Sequence, residues 1–109
     1  MSTTLSAEKR GSTRISYHCE VECYGLGVGP LNPRITDLSA TGAFIDSLMV
    51  APVGSLLRLT LPVGADSITI TAEVCHSMPQ IGMGVRFLDL TAQARAVLAF
   101  LIEERLRVG

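Results

Sequence analysis

The sequence of 109 residues contains no tryptophan and few other aromatic residues, with only two tyrosines and three phenylalanines. Proteins that bind single-stranded nucleic acid stack bases on aromatic side chains inside a basic groove. The chain also lacks an excess of positive charge, since its formal net charge is −1. A basic face is the usual footprint of a protein that coats duplex DNA or RNA. The composition therefore argues against a nucleic-acid polymer as the partner, and any anion site must be local.

Long apolar runs are also missing. No run in the sequence approaches the ~18 residues that a membrane-spanning helix needs, and the first fifteen residues have no apolar segment of the kind found in signal peptides. The three cysteines are an odd number, which fits a reduced cytosolic protein better than a secreted disulfide scaffold. We therefore expect a cytoplasmic protein without a membrane span.

What the sequence does contain is enough apolar material for one compact domain. Hydrophobic residues make up 48% of the chain and charged residues 17%, a balance that argues against global disorder. A chain of this length can bury a core without disulfide or metal support. Because the N-terminal residues are polar, we expect a flexible tail over residues 1–8 and a folded domain over residues 9–109.

Alternation of apolar and polar residues predicts β-strands along most of the chain. In the first strand, one face carries the residues Ile15, Tyr17, Cys19, Val21 and Cys23. Similar patterns, separated by turns rich in glycine and proline, predict further strands over residues 34–37, 43–46, 55–61, 68–76 and 83–87.

The periodicity changes after Leu90. Apolar residues then recur at helical spacing, and Thr91 is a suitable N-cap for an amphipathic helix of about fifteen residues. Six short strands followed by one helix predict an all-β dominated fold, a small six-stranded antiparallel β-barrel with a C-terminal α-helix packed on it.

Two short motifs concentrate the polar chemistry. The first is the "KRGSTR" stretch, in which Arg10 and Arg14 are four residues apart and Lys9 adds a third positive charge. The second is "DLSATG", which contains Asp37, Ser39 and Gly42. Each has an ordinary explanation by itself, because an arginine-rich stretch can be a solvated tail, and Asp, Ser and Gly are common in turns.

Taken together and in this order, the two motifs resemble those of the PilZ domain, a bacterial receptor module for cyclic di-GMP. The resemblance covers residues 8 to 106 and includes "RGSTR", "TDLSATGAFI" and the strand "GMGVRFLDL" before the helix. It implies a six-stranded barrel with a C-terminal helix, which agrees with the strand pattern. It also implies cyclic di-GMP as the ligand, with no cofactor.

The resemblance assigns ligand binding to both motifs. Guanidinium groups match phosphate oxygens bidentately and stack on or bond to guanine, which suits Arg10 and Arg14. An ionised carboxylate has no donor, so Asp37 would accept from the N1–H and N2–H₂ groups of guanine. The hydroxyl of Ser39 can reach base or phosphate, and Gly42 would let the backbone approach the ligand closely.

Two further residues extend this predicted binding set. Family members often place an aromatic residue late in the fifth strand, and His76 is the residue near that point. It would stack on guanine, or it is a strand-end histidine without a role. Lys9 directly precedes the first motif arginine. Its additional positive charge favours binding of a stacked ligand dimer.

Other chemistry finds less support. Cys19 and Cys23, with His18, Cys75 and His76, could form a metal set, but no second matching cysteine pair exists, so cysteines acting as small apolar residues are favoured. No phosphate-binding loop, activated nucleophile or carboxylate pair is present. We therefore expect no enzyme and no metal site.

These inferences converge on a non-enzymatic cyclic di-GMP receptor. Its arginine arm would order on ligand binding and signal to an unidentified effector protein, in control of motility, biofilm, exopolysaccharide or virulence. The alternative is a protein-interaction module of the same fold that acts without ligand.

Overall fold

A computed structural model of the protein describes residues 13–25 and 33–108. Lys9, Arg10 and the tail expected over residues 1–8 lie outside these ranges. The described residues form seven strands and one helix: β1 (Ile15–Glu20), β2 (Glu22–Tyr24), β3 (Arg34–Leu38), β4 (Gly42–Asp46), β5 (Leu56–Val63), β6 (Asp66–Met78), β7 (Gly82–Leu88) and α1 (Ala92–Val108).

The strands form a single sheet in the order β1-β3-β4-β7-β6-β5-β2, which curls into a half-barrel. Every neighbouring pair is antiparallel. The prediction of a mostly β antiparallel fold that ends in a helix is therefore confirmed, whereas the predicted count of six strands is wrong.

The additional strand arises because the first predicted strand is divided at Val21. Its first part, β1, pairs with β3, whereas its second part, β2, pairs with β5 at the opposite edge of the sheet. Between the two ladders, the amide of Val21 donates to the carbonyl oxygen of Pro33 at 3.2 Å. One extended stretch of chain thus supplies both edge strands, and this requires the sheet to curl.

The core lies on the concave face of the sheet, beneath α1. Alternate residues of the strands point inwards, and Ile35, Leu59 and Leu61 are completely buried. Burial of each such side chain contributes about 1.5–3 kcal/mol. The predicted inward face of the first strand is confirmed, since Ile15 and Val21 are buried there.

The helix α1 begins as the sequence predicts. The hydroxyl oxygen of Thr91 accepts a hydrogen bond from the amide of Ala94 at 3.0 Å, which confirms Thr91 as the N-cap. Ala94, Leu98 and Ile102, each four residues apart, are the buried positions of α1. Beyond Ile102, its last turn is exposed. Within the described residues no helix has the length and apolar character needed to cross a membrane.

Candidate functional site

A row of residues crosses the outer, convex face of five neighbouring strands. The register of the sheet places five residues side by side: Ser16, Asp37, Phe44, Gly84 and His76. Adjacent strands are separated by about 4.8 Å, so the row extends over roughly 19 Å along the sheet. It places Asp37 and His76, two residues that the sequence predicted as ligand contacts, on the same face of the sheet.

Asp37 reaches this face because of a β-bulge in β3. Ile35 pairs with Ile45 and Asp37 pairs with Phe44, so two steps along β3 match one step along β4. Thr36 is the extra residue, and a bulge reverses the alternation of inward and outward side chains. Leu38 is therefore completely buried, while the carboxylate of Asp37 faces outwards. Strict alternation from Ile35 would have directed that carboxylate into the core.

A second bulge, in β6, turns His76 outwards. In β6, Val74 pairs with Val85 and His76 pairs with Gly84, which makes Cys75 the extra residue. Val74 is buried and His76 is exposed, although the two residues share one parity. The imidazole lies beside Gly84, where an added methyl group would be 3.4 Å from its Cδ2 atom.

The structure also brings the two sequence motifs into contact. Arg14, which directly precedes β1, lies with its Nη1 atom 3.8 Å from Oδ2 of Asp37. Both side chains remain largely open to solvent, with 54% of Arg14 and 42% of Asp37 exposed. A cation that can bind phosphate therefore lies next to an acceptor suited to guanine, and their mutual attraction is weak enough to be exchanged for ligand contacts.

Ser39, by contrast, is 2% exposed and acts within the turn between β3 and β4. Its hydroxyl oxygen accepts hydrogen bonds from the amides of Thr41 at 3.2 Å and Gly42 at 3.1 Å. The same hydroxyl is 3.2 Å from the carbonyl oxygen of Gly42, to which it donates. The motif serine thus holds the hairpin that follows Asp37 in a fixed shape.

Replacing Ser39 with alanine should lower the free energy of unfolding by about 1–3 kcal/mol, because it leaves buried backbone donors without their acceptor. Urea denaturation measures this difference. Ser67→Ala, at an exposed position of β6, is the control and should be nearly neutral. Equal stability of the two variants would contradict the structural role of the Ser39 hydroxyl.

The close approach of two strands requires a glycine at position 42. A side chain at this position would collide with the carbonyl oxygen of Val85 and lie 3.3 Å from Cα of Arg86, both in β7. The resemblance to the family implied that this glycine allows close approach of a ligand. The geometry of the sheet supplies a reason for it that is independent of any ligand.

Phe44 is the residue of this face that the sequence analysis missed. It is half-buried in the row between Asp37 and Gly84, and its ring extends over Gly82. The two glycines of "GMGVRF" thus leave room for Phe44 and His76. The outward parity of Phe44 in β4 was the available signal, because inward-facing Ala43 and Ile45 flank it.

Beside this row, Arg86 forms an ion pair across two strands. Its Nη2 and Nε atoms donate to Oε1 of Glu73 at 2.6 and 3.0 Å. Arg86 is exposed on the outer side of β7. Because Arg86 donates two short hydrogen bonds to its carboxylate, whereas Arg14 lies 3.8 Å from Asp37, Arg86 is a weaker anion site than Arg14.

The three cysteines are free thiols that lie partly buried in the sheet. Burial raises the pKa of the Cys23 thiol to about 11, so this group is protonated at neutral pH. Burial, with a smaller contribution from Glu20, also raises the pKa of Cys19. In residues 13–25 and 33–108, no three His, Cys, Asp or Glu side chains form a group able to hold a metal ion.

Comparison with known proteins agrees with this architecture. The sequence profile of the family described as "PilZ domain" matches residues 7–104. The fold is similar to that in the crystal structure of the PilZ domain of CeSA from a cellulose-synthesizing bacterium, with a TM-score of 0.62 and 18% sequence identity. The similarity covers 84% of this chain and 96% of that chain. A search of curated proteins gave no match. The family match over nearly the entire chain shows that this protein belongs to the PilZ domain family, a family of cyclic di-GMP receptors.

Proposed function

We propose that this chain is a non-enzymatic receptor that binds cyclic di-GMP on the outer face of its sheet. The observation that carries the proposal is the contact between Arg14 and Asp37, at 3.8 Å. These residues come from separate motifs, and the sheet brings them together at the surface with both side chains accessible. Membership of the PilZ family, whose profile matches residues 7–104, supports the same ligand.

The ligand's two chemical parts match different residues of the site. The guanidinium of Arg14 forms a bidentate pair with phosphodiester oxygens, and the carboxylate of Asp37 accepts from the Watson–Crick edge of guanine. His76 stacks on a guanine ring, with Phe44 between it and Asp37 as additional apolar surface. Separating Arg14 from Asp37 costs little, because an exposed ion pair contributes only about 0–1 kcal/mol.

The remaining motif residues complete the proposal. Lys9 and Arg10, which lie outside the described residues, would close over the ligand together with Arg14. Ser39 and Gly42 would shape the adjoining turn and offer it to the ligand. Ordering of the arginine arm at the start of the 9–109 domain would then present a changed surface to an effector protein. By family precedent, this occurs in the cytoplasm, in control of motility, biofilm formation, exopolysaccharide synthesis or virulence.

Isothermal titration of the complete chain with cyclic di-GMP tests the proposal. We expect a saturable heat signal at tens of micromolar ligand or below, a range typical of specific small-ligand sites of moderate affinity. The linear dinucleotide pGpG is the control, because it carries the same bases without the closed ring, and it should bind more weakly. No heat with cyclic di-GMP under these conditions would refute the receptor function.

A second candidate is a protein-interaction module that acts without ligand. It is favoured by the structural roles of Ser39 and Gly42, since the hydrogen bonds of the turn and the contact of β4 with β7 account for both residues. The accessible Arg14–Asp37 pair has no such structural necessity, and we therefore prefer the receptor. Complex formation with a purified effector that is identical with and without cyclic di-GMP would favour the module.

A further inference from the structure

A second surface lies on the other side of Arg14, between β1 and the C-terminal end of α1. It is a cleft of about 660 Å³ lined by Arg14, Ile15, Ser16, His18, Arg105 and Leu106. This volume falls within the range of about 300–1,000 Å³ that is usual for small-molecule sites. Among the described residues, its lining contains two guanidinium groups and an imidazole and no carboxylate, and a cleft rich in one sign of charge attracts anions.

Arg105, in the last turn of α1, lies over an aromatic ring of β1. Its guanidinium carbon lies 5.9 Å from the centre of the Tyr17 ring. In the described part of the chain, carboxylates pair with Arg14, Arg34, Arg86 and Arg107, whereas none lies within 4 Å of Arg105, Arg58 or Arg95, and of these three only Arg105 lines the cleft. The guanidinium thus lies over the ring, and among the described residues no carboxylate occupies its N–H donors, which are available to an anion.

Arg14 joins this cleft to the row of outer-face residues. It lines the cleft and also contacts Asp37, while its neighbour Ser16 both lines the cleft and pairs with Asp37 in the sheet. Leu106, which is 58% exposed, lines the cleft and adds an apolar wall. A cyclic dinucleotide has two phosphodiesters and two bases. The row offers an acceptor and an aromatic surface, and the cleft offers cations and an apolar wall.

We propose that Arg105 is a ligand-binding residue of this receptor and that cyclic di-GMP bound at Arg14 also places a phosphodiester against the Arg105 guanidinium. This inference rests on the proposed function. The bound ligand then bridges β1 and the C-terminal end of α1. The buried positions of α1 end at Ile102, and the contact of Arg105 with Tyr17 connects the last turn of α1 to β1. The bound ligand adds a second connection between them.

Titration of Arg105→Ala with cyclic di-GMP should show binding weakened by about ten- to a hundredfold, the effect of losing one charge-assisted interaction. Arg107→Ala is the matched control. It removes the same charge from the same turn, but Arg107 pairs with Glu104 at 3.3 Å and does not line the cleft. Arg107→Ala should therefore change the affinity by less than about threefold, the scale of a screened surface charge.

A second variant separates ligand binding from packing on Tyr17. Arg105→Gln keeps most of the aliphatic part of the side chain but loses the charge and the guanidinium fork, so it should bind as weakly as Arg105→Ala while retaining wild-type thermal stability. Hydrogen exchange gives an independent readout. Cyclic di-GMP should slow exchange in the last turn of α1 in the wild type, and this protection should be lost in Arg105→Gln.

The outcomes distinguish this inference from the receptor function itself. If the wild type binds and Arg105→Gln binds equally well, Arg105 has no role and the receptor function stands. Equal weakening by Arg105→Ala and Arg107→Ala would show a general charge effect and would also overturn the inference. If the wild type gives no heat of binding with cyclic di-GMP, both the proposed function and the role of Arg105 are refuted.

Discussion

Replacing Arg14 with alanine should weaken the binding of cyclic di-GMP by roughly ten- to a hundredfold, because each charge-assisted hydrogen bond to a phosphate contributes about 1.5–3 kcal/mol. The same replacement should hardly change the stability of the domain. Arg14 is 54% exposed, and Asp37, the only carboxylate that pairs with it among the described residues, lies 3.8 Å away. Such surface pairs contribute about 0–1 kcal/mol. Calorimetric titration measures the first effect and urea denaturation the second.

Arg34 provides a matched control for this experiment. It forms a similar exposed pair with Glu20 at 3.7 Å, but at the opposite end of β3. Arg34→Ala removes the same charge and should leave the affinity for cyclic di-GMP within about threefold of the wild type. If both variants lose affinity equally, net charge explains the effect and Arg14 is not a specific contact.

Replacing Gly42 with alanine should lower the free energy of unfolding by about 1–3 kcal/mol or more, the range seen when a closely packed site is overfilled. The added methyl group would meet the backbone carbonyl of Val85, which cannot move without disturbing the ladder between β4 and β7. A flexible side chain could rotate away, but a strand carbonyl cannot. Thermal or urea unfolding of the purified variants measures the difference.

Gly84→Ala is the matched control, since this glycine lies on the same outer face in β7. Its added methyl group would be 3.4 Å from Cδ2 of His76, an exposed side chain that can rotate away. We therefore expect Gly84→Ala to be destabilised by no more than about 0.5 kcal/mol, as is usual for surface substitutions. Equal losses in the two variants would contradict the close packing of β4 on β7 as the reason for Gly42.

These two predictions assign different physical roles to the two motifs. Arg14 is accessible, so its replacement should hardly affect folding and should act mainly on ligand binding. Gly42 and Ser39 stabilise the turn and the sheet, so their replacement would weaken ligand binding through the fold as well as through any direct contact. Stability measurements must therefore accompany every binding measurement on the "DLSATG" motif.

Local patterns in the sequence were sufficient to predict most of the secondary structure. The alternation from Ile15 onwards identified the strands, because a half-buried strand needs apolar residues at every second position. Thr91 identified the start of α1, because its side chain can satisfy an amide that the first helical turn leaves without a partner. The motifs around Arg14 and Asp37 indicated the family for a similar reason, since both are contiguous and short.

The partition of the first strand could not be predicted in this way. Val21 continues the apolar alternation without interruption, and it is buried as the pattern requires. The division into β1 and β2 depends on which distant strands pair with each part, β3 for the first and β5 for the second. No local feature of the sequence around Val21 encodes that choice of partners.

The sequence by itself determined which residues form strands, where the helix begins and which motifs indicate the family. Only the tertiary structure decided that residues of these motifs lie on one face. Bulges at Thr36 and Cys75 turn Asp37 and His76 outwards, and α1 brings Arg105 to the far side of Arg14. The physical reason is that a bulge is a mismatch in register between two strands, and helix packing depends on the assembled core. Both properties belong to pairs of distant segments, and neither can be read from a single segment of the chain.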